Sequence, residues 1–158
     1  MKKEELFQVN PFNNNHIKMI QDFERENEIK TRTTDFLNKL TKEMTKEEYE
    51  KNKLNSNEIE ESLFIKEAKK IKDSCHIYGE KDIKSCNISF APIKTKLQNR
   101  RLLSLAVDYA MNILGMVDIF IKANFDDKNM IANLEARGFE SLGEENGQLI
   151  YLKEKELI

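Results

Sequence analysis

The spacing of apolar residues changes several times along the chain, and each spacing points to one kind of element. Leu6, Phe7 and Val9 form a short apolar run closed by Asn10-Pro11, which predicts a first strand over Leu6–Val9. Asn13, Asn14 and Asn15 each offer a helix cap, and behind them Ile17, Ile20 and Phe23, with Met19, recur at helical spacing. Thr33-Thr34-Asp35 opens a second helical stretch carrying Phe36, Leu37, Leu40 and Met44. Thr45-Lys46-Glu47-Glu48 fits a capping box, and Asn52 to Asn57 reads as a loop. Ser62–Lys66 predicts the next strand. Ile71–Tyr78 and Ile83–Phe90 predict two antiparallel strands turned by Gly79-Glu80-Lys81-Asp82. The longest helix is expected over about Asn99 to Leu114, where Leu102, Leu103, Ala106, Tyr109, Ala110, Ile113 and Leu114 share one face and Gly115 supplies the stop. Val117–Ala123 is a nearly continuous apolar strand, as found near a sheet centre. Asp126 or Asp127 caps a further helix with Met130, Ile131 and Leu134 inward, ended by Gly138. Phe139–Leu142 and Leu149–Leu152 form a last hairpin, and Asn146-Gly147 suits its type I′ turn, which needs positive φ at both central positions. The predicted order is β-α-α-β-β-β-α-β-α-β-β.

Composition narrows the class. A chain of 158 residues favours one compact domain, here residues 1–158 as a whole. Charged residues reach 34% and mean hydropathy is −0.65, yet nine Phe, six Met and four Tyr supply core material, which excludes disorder throughout. Residues 1–61 are rich in Asn, Lys and Glu, and residues 62–158 carry most of the aliphatic runs. With two prolines and five glycines no linker stands out, so the polar N-terminal part is read as helices of the same domain. Lys and Arg number 26 against 28 Asp and Glu, a balance that speaks against a polycation for nucleic acid. No run approaches the roughly 18 apolar residues of a membrane span. Met1-Lys2-Lys3-Glu4-Glu5 leads to no apolar signal segment, so the expected address is cytoplasmic, with no membrane partner. Cys75 and Cys86 lack the companions of a zinc site or a disulfide scaffold, and no metal is expected.

Two segments carry a family likeness. Leu102-Leu103-Ser104-Leu105-Ala106-Val107-Asp108-Tyr109-Ala110 resembles the long helix that follows the acyl-CoA loop in the GNAT superfamily of N-acetyltransferases. Asp127-Lys128-Asn129-Met130-Ile131-Ala132-Asn133-Leu134-Glu135-Ala136-Arg137-Gly138-Phe139 resembles that family's later signature, in which a helix runs into Gly-Phe at the start of a strand. The likeness is strongest over residues 83–153; before that, only the element order matches. It implies an α/β (α+β) fold with a mixed, mostly antiparallel sheet of about seven strands flanked by about four helices. It also implies acetyl-CoA or another acyl-CoA as cosubstrate and an amine acceptor, small molecule or protein.

In that family the acyl-CoA lies in a wedge where the fourth and fifth strands splay apart, and its pyrophosphate sits on N–H groups at the start of the long helix. The resemblance therefore assigns cofactor contacts to Ser89, Phe90 and Ala91 on the fourth strand, and to Lys96, Leu97, Gln98, Asn99, Arg100 and Arg101 in the loop and helix start. Asp127 and Asn129 complete the set. The loop departs from the family pattern, because Leu97 and Asn99 stand where glycines let the diphosphate approach. Asn99 tolerates left-handed backbone, and Lys94, Lys96, Arg100 and Arg101 offer charge instead. That basic cluster reads first as a solvated helix start and next as a CoA phosphate site; nucleic-acid contact lacks the interleaved aromatic residues it needs. Leu134 occupies the position of a tyrosine that protonates the departing thiolate, and Asp127 that of an asparagine. The alternative is thus a catalytically inactive binding or regulatory module with a degenerate cofactor site. A small anion- or nucleotide-binding protein is a third reading.

Amide formation by direct attack needs a neutral amine, a base to take its proton, and a hydrogen-bond donor for the thioester oxygen, which a strand N–H can supply. Alternation on the fourth strand puts Ser85, Asn87 and Ser89 on one face and Cys86, Ile88 and Phe90 on the other. On the third strand Ser74, His76 and Tyr78 share a face, opposite Asp73 and Cys75. By its ordinary pKa His76 is the candidate base, with Glu67 and Asp73 behind it, and the catalytic set is otherwise open. His16, beside the asparagine cluster, reads as structural. No motif identifies the acceptor, and homo-oligomerisation is left open.

Overall fold

The computed structural model describes residues 4–67, 69–91 and 100–155. In chain order the elements are β1 (Glu4–Gln8), α1 (Asn14–Asn27), α2 (Arg32–Glu43), α3 (Lys46–Asn55), β2 (Glu58–Glu67), β3 (Lys70–Glu80), β4 (Ser85–Phe90), α4 (Arg100–Asn112), β5 (Asp118–Asn124), α5 (Lys128–Ala136), β6 (Glu140–Glu145) and β7 (Gln148–Glu154). The strands form one seven-stranded sheet in the order β1-β2-β3-β4-β5-β7-β6. All neighbours are antiparallel except β4 and β5. This is the mixed, mostly antiparallel α+β sheet that the sequence implies.

Helix starts follow the local chemistry. The Asn13 side chain accepts from the N–H groups of Asn15 and His16, and His16 Nδ1 in turn accepts from the Asn10 N–H at 3.0 Å. Thr45 and Glu48 close the capping box. Asp127 accepts from the Met130 N–H and so starts α5. The β6–β7 hairpin turns on Asn146 at φ 52° and Gly147 at φ 81°, as a type I′ turn requires.

Three expectations shift. The described residues contain five helices, because the capping box launches α3 through Asn55 where the sequence suggests a loop from Asn52. None of α3's residues is buried, so it leaves no apolar stripe to read. β2 begins at Glu58, four residues before the predicted start, with Ile59 and Glu61 turned inward. Gly79 is not a turn residue: it lies within β3, and the turn moves on to Lys81–Lys84 so that β4 starts at Ser85. A Cβ at Gly79 would stand 2.2 Å from the Ser85 carbonyl oxygen and 2.7 Å from Cys86 Cα, so close strand approach selects the glycine.

Helices cover the two faces of the sheet unequally. On one face Leu102, Leu103, Ala106 and Ala110 of α4 and Met130 and Leu134 of α5 join Leu63, Ile77, Cys86, Ile88, Ile119 and Ile121 in the main core. Full burial of each leucine, isoleucine or methionine among them contributes about 1.5–3 kcal/mol. On the other face Ile20 and Phe23 of α1 and Leu37 of α2 pack with Val9, Phe64 and Ile71. That second core lies over the β1–β3 side. Farther along the same face, Asn87, Ser89 and Phe120 stay half-buried and Lys122 exposed.

Candidate acyl-CoA and acceptor site

The seam between β4 and β5 is short. Pairing is confined to Ser85 with Asp118, Cys86 with Ile119 and Asn87 with Phe120. Yet β4 stays paired to β3 as far as Phe90, and β5 to β7 as far as Asn124. The two strands therefore diverge beyond Asn87 and Phe120. The Ala91 N–H donates to the Ser74 carbonyl at 3.0 Å, so Ala91 faces β3. Successive residues of a strand present their backbone groups to opposite edges, so Phe90 turns its N–H and C=O into the gap. The gap is a cavity of about 390 Å³. Ile88–Ala91 line one side, Phe120 and Lys122–Asn124 the other, with Asp127 and Met130 of α5, Gln148 of β7, Tyr78 of β3 and Arg32 of α2 around them.

The residues expected at the cofactor divide into groups. Ser89, Phe90, Ala91 and Asp127 meet at the cavity, Asp127 while capping α5. Asn129 and Arg101 are exposed on their helices and do not line it. Arg100 begins α4. Lys94, Lys96, Leu97, Gln98 and Asn99 lie outside the described residues. Leu134 is 0% exposed in the main core and does not line the gap.

His76 sits across from Ser89 on the adjoining strand. Its side chain is 8% exposed, edge-on to the Phe36 ring. The Thr33 hydroxyl donates to Ser62 Oγ at 2.7 Å, which leaves the Ser62 hydroxyl to donate to His76 Nδ1 at 2.6 Å. The imidazole proton then resides on Nε2, 3.5 Å from a Glu60 carboxylate oxygen. Both ring nitrogens thus address residues of β2. Burial, followed by the Arg32 charge, pushes the His76 pKa down from 6.5 to about 4, and the ring is neutral at physiological pH. Burial raises the pKa of Glu60, with Lys39 opposing and Glu58 reinforcing. Glu60, His76, Arg32, Lys39 and Tyr78 share a further cleft of about 460 Å³ with Asp35 and Phe36.

Arg32, Phe120 and Glu60 escape a reading of the sequence, which gives Tyr78 only its strand face, since strand order and the seating of α2 bring them to the cleft. Arg32 left one trace. It is the first residue of α2, where the helix dipole disfavours a cation.

On the main-core side the Tyr109 hydroxyl donates to Glu61 at 2.6 Å, and Lys53 reaches the other carboxylate oxygen at 3.3 Å. Cys75 and Cys86 are buried thiols, the latter pushed up to about 12 by burial. Among the described residues no cluster of His, Cys, Asp and Glu could hold a metal ion, and no helix is long and apolar enough to cross a membrane.

No known protein-family description matches the sequence, and no curated protein does. Solved structures do match. The ribosomal-protein-S5-alanine acetyltransferase of Vibrio fischeri superposes with a TM-score of 0.71 at 12% identity, covering 98% of this chain and 96% of its own. The N-acetyltransferase PseH of Campylobacter jejuni, in complex with acetyl coenzyme A, gives 0.63 at 13% identity over 98% of this chain and 100% of its own. The spermidine N-acetyltransferase of Vibrio cholerae, a dodecamer, gives 0.63 at 17% identity over 96% and 94%. Over nearly its whole length, this chain has the fold of the GNAT N-acetyltransferases.

Proposed function

We propose that the protein transfers an acetyl or other acyl group from acyl-CoA to an amine. The observation that carries this reading is the parting of β4 from β5, which leaves the Phe90 backbone unpaired beside a cavity in a fold whose neighbours include an acetyl-CoA complex. In this reading the pantetheine arm lies in the gap against Ile88–Ala91, and the Phe90 N–H donates to the thioester oxygen as charge develops there. Arg100 and Arg101, with Lys96, Leu97, Gln98 and Asn99 before them, receive the phosphates at the start of α4, and Asp127 and Asn129 flank the far side. The amine nitrogen attacks the carbonyl carbon, the C–S bond breaks, and the nitrogen gives up a proton. Glu60 takes that proton, held by His76, which serves as a neutral partner. The thiolate takes a proton from Tyr78, because Leu134 has none to give. The reading carries a cytoplasmic address with it.

Acetyl-CoA at about 100 times its dissociation constant should stabilise the fold by about 2.7 kcal/mol, seen as a higher melting temperature. A flat melting curve at millimolar acetyl-CoA and CoA would sink the proposal. Arg100→Glu should weaken that binding, and an unchanged affinity removes the phosphate role. The missing loop glycines favour the second reading, an inactive binding module, which requires binding without turnover of any amine; release of free CoA thiol with one amine excludes it.

A further inference from the structure

We infer that the acceptor amine carries an anionic group, a carboxylate or a phosphate, which docks at the N-terminus of α2 beside Arg32. The amine part of this inference rests on the proposed acyl transfer; the anion site rests on its own geometry.

A second cavity of about 170 Å³ adjoins the gap and shares Arg32, Ser89, Phe90 and Ala91 with it. The first residues of α2 form one wall. Lys30 and Arg32 line the cavity, and among the described residues no acidic one does. His76 also faces it and is neutral.

The helix end is unfinished on this side. The Thr31 side chain caps nothing, and among the described residues the N–H groups of Arg32 and Thr33 find no acceptor. Such groups, with the helix dipole behind them, suit an oxyanion. A second, independent sign comes from Thr31 itself. It is 8% exposed, lines the cavity, and its Oγ1 is buried without a hydrogen-bond partner. A buried hydroxyl without a partner is unfavourable, and an oxyanion at this wall would accept from it.

Arg32 supplies the charge. Among the described residues its guanidinium has no ion pair or hydrogen bond. It stands at the positive end of the helix, where an anion shared with the backbone N–H groups relieves the repulsion. At this same helix end Glu24, which does not line the cavity, already accepts from the Thr31 N–H and the Thr34 hydroxyl, so one carboxylate is bound here by the chain itself. The volume admits a carboxylate on a short stem or a phosphate, and a polyamine would set its cations against Lys30 and Arg32. Because the cavity opens along Ser89–Ala91, an anion seated there leaves an amine a few bonds away at the thioester.

The test is titration calorimetry on the full chain, with and without CoA, using matched probes. β-Alanine is compared with propylamine, and O-phosphoethanolamine with ethanolamine; spermidine is the cationic control. At least one of the two amines that carry an oxyanion should bind tenfold or more tightly than its partner that lacks it, and the better of the two names the oxyanion. Arg32→Gln should erase the preference. Thr31→Val, which keeps the shape and the fold, should reduce it several-fold. Equal binding within both pairs, tightest binding of spermidine, absence of binding by every probe, or a preference that survives both variants overturns the inference. Acetyl-CoA stabilisation with no anion preference defeats this inference alone. An anion preference with no acetyl-CoA stabilisation defeats the transfer reading and leaves the site standing.

Discussion

Protonating His76 is the sharpest perturbation available. In the unfolded chain its pKa is near 6.5, and in the fold burial and Arg32 bring it to about 4. A difference of roughly 2.5 units at 1.36 kcal/mol each amounts to about 3 kcal/mol. The sign follows from which state binds the proton. Above pH 6.5 both states hold a neutral imidazole and the fold has its full stability. As pH falls, the unfolded chain takes up the proton first, and stability is lost progressively until the native ring also titrates near pH 4. Against a total of about 5–15 kcal/mol for an ordinary domain, that loss is large. Urea unfolding at intervals from pH 7.5 to 4 measures it. His76→Gln removes the titration, so its curve should lack this slope, and the parent's stability relative to it should fall by about 3 kcal/mol between pH 6.5 and 4. Glu60, with its pKa raised by burial, acts in the opposite sense but is present in both proteins, so the difference isolates His76. Parallel curves for parent and variant between pH 6.5 and 4 would refute the assignment of a buried, neutral ring. The same shift carries over to kinetics: no limb of the rate profile near pH 6.5 should vanish in His76→Gln.

Other perturbations probe the frame. Tyr109→Phe removes a hydrogen bond to the buried Glu61 carboxylate, a loss of about 1.5–3 kcal/mol, or roughly 3–12 °C in melting temperature; a change under about 1 °C contradicts it. Burial and Glu61 raise the Tyr109 pKa above 10, so the parent alone should lose this contribution as pH climbs beyond 10. Gly79→Ala drives a methyl group into the backbone of Ser85 and Cys86 and should cost about 3 kcal/mol or more, read as a fall in the urea midpoint; an unchanged midpoint refutes the close approach. Leu134→Ala should cost about 2–5 kcal/mol by the same measurement, and a cost below 1 kcal/mol would show that the position is not sealed in the core.

Legibility in the sequence tracked the range of the interactions involved. Signals held within a few residues came through: the Asn146-Gly147 turn, the Thr45–Glu48 box and the apolar stripe from Leu102 to Ala110. Gly79 was misplaced because its constraint comes from Ser85, across the turn, rather than from its own backbone angle. The start of α3 was legible in its capping box, but its extent and its standing as a separate helix were not, because a helix with nothing buried has no stripe. Tyr78, Glu60 and Arg32 reach the cleft only through sheet order and the seating of α2, which no local pattern encodes. His76 was picked out by its ordinary pKa. Its Ser62 and Glu60 partners come from β2, aligned with it by strand register.

The single parallel seam has a consequence for how the molecule opens. β1–β4 and β5–β7 are each held by longer antiparallel ladders, and the sheet hydrogen bonds joining these two blocks stop after three residue pairs. Local opening is least costly where the fewest bonds must part together. The amides along the seam, at Asp118 and Phe120, should therefore exchange with solvent ahead of those at Ile77 or Tyr151 in the flanking ladders. A guest strand laid between the blocks would lengthen the joint. Its hold on the protein should then be felt first as slower exchange at the seam, before any change in the ladders on either side.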